Sequence, residues 1–185
     1  MAAIDSASFS HPTGRERPAA TLVALTLVRV VVGYEWLVSG LSKLANGDFA
    51  HGLAAQLRDL SGRASPWYGH FLRGAIVPHA VAFGYLIEIA ELAVGLVLVS
   101  VAVSELTLGA RLPRRTRLAL RRLAVAALAA GIVLVANFEL ANGGSFGLRL
   151  ASDSFDEGVD LDTVMVAAQL ALLVAFAPAL RRRTR

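Results

Sequence analysis

Residues 75–103 read AIVPHAVAFGYLIEIAELAVGLVLVSVAV, and the fold turns on how two carboxylates come to lie in so apolar a run. A helix needs about 20 residues to cross the hydrocarbon of a bilayer, and this run exceeds that length. Residues 22–38, 123–140 and 161–180 form three more runs of the same character. A buried helix of a large soluble domain accounts for one such run, but hardly for four in a chain of 185 residues. The expected fold is all-α: a bundle of four transmembrane helices at about 19–45, 75–103, 118–140 and 161–180. Residues 46–74 and 141–160 are then links on one side.

Ionisable residues interrupt these runs. Arg29 and Glu35 lie in the first, Glu88 and Glu91 in the second, and Glu139 near the end of the third. A charge near the bilayer centre costs roughly 2.5–3.5 kcal/mol on the insertion scale, so such residues face protein or water. Gly84, Glu88, Glu91 and Gly95 recur at helical offsets that place them on one face. That stripe predicts a polar seam, with glycines allowing close helix approach. Arg29 stays charged and must be paired, hydrated or near an interface. Glu88 or Glu91 across the bundle is its expected partner, whether for assembly alone or as part of a site. Lys43 is expected at the outer interface, with the first helix stopping at the Asn46–Gly47 turn pair. Glu105 is expected on the surface.

The charge balance is +4, which in a soluble protein would raise nucleic-acid binding. Its distribution points elsewhere. Arg111, Arg114, Arg115, Arg117, Arg121 and Arg122 fill the link between the second and third runs. Arg15 and Arg17 precede the first, and Arg181, Arg182, Arg183 and Arg185 follow the fourth. Four crossings put all three groups on one side, which the positive-inside rule makes cytoplasmic. Both termini are then cytoplasmic: a polar tail over 1–18 and a basic one over 181–185. The expected location is the inner (plasma) membrane of a bacterial or archaeal cell. Lipid and other membrane subunits are the expected partners, and nucleic acid is not.

Between the first two crossings, residues 48–60 carry a weak helical period suited to an amphipathic surface helix, which Ser61–Gly62 should break. Trp67, Tyr68 and Phe71 follow, either as interfacial anchors or as caps over a pocket. Ala127 and Gly131 have the spacing of tight helix packing. The acidic run of residues 153–162 lacks the order of an EF-hand and reads as a solvated surface, with weak divalent binding the alternative.

The chain has no cysteine, so thiolate chemistry and cysteine-ligated clusters are excluded from it. His11, His51, His70 and His79 form no metal-binding motif, and no metal site is expected; loops could still bring the last three together. No nucleotide-binding glycine pattern is present. The polar residues do suit an amphiphile with a carbonyl head, such as a quinone. Arg29, Glu35, Trp36, Lys43, Trp67, Tyr68, Glu88 and Glu91 are the candidate binding residues. Among them Arg29, Glu88 and Glu91 are candidates for catalytic proton handling, with cations donating to a carbonyl and a carboxylate exchanging a proton. No covalently bound cofactor is expected.

The segment LVRVVVGYEWLVSGLSKL, residues 27–44, resembles the DoxX-like membrane proteins in its arginine, spaced glycines and terminal Gly-x-x-Lys, here Arg29, Gly33, Gly40 and Lys43. Residues 67–99 resemble the DoxD branch in an aromatic loop, a proline at the helix entry and Glu-x-x-x-Gly, here Glu91 and Gly95. ANFEL, residues 136–140, is similar to the third-helix ending of those proteins. Glu35, Glu88 and the acidic loop do not map onto the pattern. The resemblance implies a four-helix subunit like the small subunit of thiosulfate:quinone oxidoreductase, passing electrons to quinone with a partner subunit. A non-catalytic accessory or assembly subunit of a larger membrane complex is the alternative.

Overall fold

The computed structural model describes residues 16–109, 111–143 and 161–176. Among them every regular element is helical. Helix α1 is Glu16–Asn46, α2 Phe49–Arg63, α3 Pro66–Phe71, α4 Ala80–Leu108, α5 Arg114–Ala141 and α6 Leu161–Phe176. A π turn, Leu72–Ile76, and a 3-10 turn, Val77–His79, join α3 to α4. Three helical segments are long and apolar enough to cross a membrane: Ala20–Asn46, Pro66–Leu108 and Arg114–Ala141. The architecture is that of a helical membrane protein. Helix α6 is a shorter apolar helix, and residues 177–180 of the expected fourth crossing lie outside the described residues, as do most of the two tails and the acidic run up to residue 160.

Helix α1 begins two residues before Pro18, which falls in its first turn, where a missing N–H costs nothing. It ends as its sequence predicts. Gly47 takes a φ of +70° and its N–H closes on the Lys43 carbonyl at 3.2 Å. The largest interhelical interface joins α1 to α4. It is so close because of glycine. A Cβ on Gly95 would lie 2.6 Å from the Leu37 backbone nitrogen and 2.8 Å from the Gly33 carbonyl oxygen. One on Gly40 would meet the Leu92 backbone nitrogen at 3.0 Å. Helices α5 and α6 complete the bundle around Val32, Trp36, Leu98, Leu128 and Leu172.

The helix expected over residues 48–60 is present as α2, but the 46–74 segment departs from the expectation in extent and packing. It is helical almost throughout, and α2 runs through Ser61–Gly62 to Arg63. Rather than only lying on the surface, α2 buries Ala50, Leu53 and Leu57. Gly84 is the reason it can approach α4, since a Cβ there would strike the Ala50 backbone. A second apolar cluster forms beneath it from Leu53, Leu57, Tyr68, Leu72 and Ala141. The π turn has a local cause. Pro78 has no N–H to give, and its ring crowds the carbonyl four residues back. The helix widens there, with the Val77 N–H reaching the Leu72 carbonyl five residues away.

Two glycine substitutions separate close approach from helix propensity. Gly95→Ala should lower stability by about 1–3 kcal/mol, because backbone atoms of Leu37 and Gly33 as well as the Leu37 side chain would have to move aside. Gly52→Ala, with open space around it, should raise stability by about 0.5–1 kcal/mol. Unfolding in detergent micelles reads both.

Candidate functional site

The stripe on α4 does meet a cation on α1, but the pairing differs from the expected one. Lys43 Nζ donates to both oxygens of Glu91 at 2.7 and 2.9 Å and to Ser39 Oγ at 2.7 Å. Ser39 in turn donates to Glu91 at 3.1 Å, closing a triangle around a carboxylate that is 0% exposed. Arg29 instead pairs with Glu105, Nη1 to Oε2 at 2.8 Å. Glu105 is therefore no surface residue: it is 16% exposed and also faces Arg121 Nε at 3.6 Å. The Phe176 ring lies 4.1 Å from the Arg29 guanidinium carbon, a favourable cation–π contact.

The reason for this exchange is register. Helices α1 and α4 are antiparallel, with fourteen residues from Arg29 to Lys43 and fourteen from Glu91 to Glu105. At the helical rise the two pairs stand about 21 Å apart, so Arg29 and Glu91 do not share a site. Hydrocarbon is about 30 Å thick, so pairs with this separation can each lie near one boundary. Placed so, both charges of each pair avoid the bilayer centre.

At the Lys43 end a cavity of about 530 Å³ opens between α2, the α3–α4 bend, α5 and the start of α6. Phe49, Leu57, Phe71, Leu72, Phe83 and Phe138 are among its apolar walls, and Lys43, Gln56, Tyr68, Asn137, Asn142 and Asp162 supply its polar groups. The widened turn matters here, because both of its ends, Leu72 and Ile76, face the cavity. Tyr68 is buried and donates to Asn137 Oδ1 at 3.0 Å, while Asn137 Nδ2 donates to the Val133 carbonyl at 2.7 Å. These bonds fix the wall between α3 and α5.

Of the eight candidate binding residues, Lys43 and Tyr68 line this cavity. Glu91 stands behind Lys43 and orients it. Trp67 is exposed, its ring 5.2 Å from that of Tyr68. Trp36 is packed in the bundle core, and Arg29 is at the other end. Glu88 is buried, and neither it nor Glu35 makes a hydrogen bond or ion pair among the described residues. Sequence reading missed Asn137, Gln56 and Asn142 as cavity residues. Asn137 carried a signal, being an amide near the end of an apolar helix. Among the described residues the histidines do not converge. His51 meets Tyr85 at 3.4 Å and His70 the Pro66 carbonyl at 3.1 Å, and no metal-sized cluster of His, Asp and Glu occurs among the described residues.

No family model, curated protein or solved structure matches the chain.

Removing Lys43 alone strands the Glu91 carboxylate in the interior. Lys43→Met should cost about 3 kcal/mol, and adding Glu91→Leu should restore most of it. Denaturation of the single and double variants in micelles measures the difference.

Proposed function

We propose that this protein is an integral membrane subunit of a redox complex and that the cavity beside Lys43 receives a quinone ring. The observation that carries the reading is an aromatic-walled cavity of about 530 Å³ with one partly exposed ammonium at its edge, held by a buried carboxylate. The size lies in the range of ordinary small-molecule sites, which combine apolar walls with a few placed polar groups. The donor set suits a neutral carbonyl better than an anion. The Lys43 charge is already balanced by Glu91, and Asp162 adds a further acidic group to the wall.

Lys43 would turn one N–H to a ligand oxygen while Glu91, gripped through both oxygens, keeps its partner. Tyr68 would turn its O–H from Asn137 Oδ1 to the second ligand oxygen, and Phe49, Phe83 and Phe138 would hold the ring and exclude water. A bound quinone supplies two-electron redox chemistry. Within this chain, Lys43 and Glu91 are the adjacent donor and acceptor for its protons. Electrons would come from a partner subunit, as the resemblance to DoxD-type proteins implies. The same reading places α6 as a fourth crossing and the arginine-rich link on the cytoplasmic face of a bacterial or archaeal plasma membrane.

Titration of the purified protein in nanodiscs with a short-chain benzoquinone tests the site through quenching of Trp67, whose ring touches that of Tyr68. Saturable quenching is expected. Tyr68→Phe should weaken it by about fivefold, and Ala90→Phe, which fills the cavity, should abolish it without loss of the folded state. Equal binding in the filled variant would sink the assignment and leave an accessory, assembly role for the bundle.

A further inference from the structure

Glu35 is a carboxylate that the cavity does not use. It lies six residues from Arg29 and eight from Lys43 along α1. At the helical rise that is about 9 Å from one ion-pair level and about 12 Å from the other, near mid-membrane. It is partly exposed, and among the described residues it has neither a hydrogen bond nor an ion pair. A polar group at this depth is costly in lipid, and residues of this kind face protein or a water-filled space. Nothing among the described residues meets the need.

The surface beside Glu35 is a continuous apolar helix face. Leu27, Val31, Tyr34, Val38 and Leu41 are all exposed and recur at offsets of four, three, four and three. This is the seam spacing of two helices packed side by side. Glu35 flanks the seam, four residues after Val31 and three before Val38. Tyr34, within the seam, is 63% exposed, and its hydroxyl makes no hydrogen bond among the described residues. An unused donor and an unused acceptor thus stand at one depth on neighbouring positions of one helix.

We propose that α1 is the contact between two copies of this chain, related by a two-fold axis along the membrane normal. That axis makes the two α1 helices parallel, so equal residue numbers meet at equal depth. Tyr34 of each copy then donates to the Glu35 carboxylate of the other, giving two symmetric hydrogen bonds where a monomer would have none. The occupant is a second copy because one helix carries both halves of the pair. Helices α2, α3 and the cavity remain outside the contact.

The absence of cysteine allows a direct test in the full chain in native membranes. Val31→Cys and Val38→Cys should each give an oxidant-dependent dimer, while Leu96→Cys, on the exposed face of α4, should not. In nanodiscs or dilute micelles, Tyr34→Phe should weaken dimerisation by about tenfold for two lost bonds. Tyr34 is exposed, so this variant leaves the fold intact, and unchanged unfolding confirms it. Failure of the α1 cysteines to crosslink, or crosslinking no better than Leu96→Cys, overturns the proposal. So does capture of a chain of different mass, or a dimer indifferent to Tyr34→Phe.

Discussion

The antiparallel seam of α1 and α4 governs the rest of the structure. Its middle is made of glycine, where Gly33, Gly40 and Gly95 let the two backbones touch. Its ends are made of charge, Arg29 with Glu105 and Lys43 with Glu91. The two features depend on each other. Close backbones bring each cation within reach of its carboxylate, and the ion pairs penalise any slip in register because it would leave four charges unmatched. In lipid, apolar packing alone does not favour one register, since the hydrocarbon tails are as apolar as the side chains. A ladder with charges at both ends does.

With that seam set, the Lys43 end becomes a walled cavity. Helix α2 turns back at Gly47 and is drawn onto α4 at Gly84, while Arg73 donates to Ser61 O and Oγ and ties the α3–α4 bend to the end of α2. Pro78 forces the wide turn that carries Leu72 and Ile76 into the cavity wall. The cavity is thus the space left between a straight pair of helices and a bent segment that cannot follow them.

Much of this was legible in the sequence. The apolar runs gave the helices, the Gly84–Glu88–Glu91–Gly95 spacing gave the face of α4 that meets its neighbours, and Asn46–Gly47 gave the end of α1. What the residues could not give was register. Arg29 with Glu91 and Arg29 with Glu105 are equally good chemistry, and a shift of fourteen residues along α4 decides between them. Tertiary context likewise converted the 46–74 link from a surface segment into a packed wall. The spacing of Ala127 and Gly131 suggested helix contact, and the structure is more specific: the Gln169 amide oxygen occupies the space where a Cβ of Gly131 would stand. Trp36 Nε1 lies 3.1 Å from that same point. Gly131 therefore makes room for a polar group rather than only for a backbone.

The division of the ionisable residues follows from depth. Arg29 cannot shed its charge, and it sits one turn from the end of α4, with Glu105 and the Phe176 ring as its neighbours. Lys43 sits one turn from the end of α1 and reaches Glu91 with its stem along apolar surface. Both permanent or easily held cations are thus at the edges. Glu35 is left between the two ion-pair levels, and its carboxyl group there needs hydrogen-bond partners that the described residues of the bundle do not supply. Paired charges fix the helices at the two ends, and a single carboxyl in between marks where the bundle meets something other than lipid.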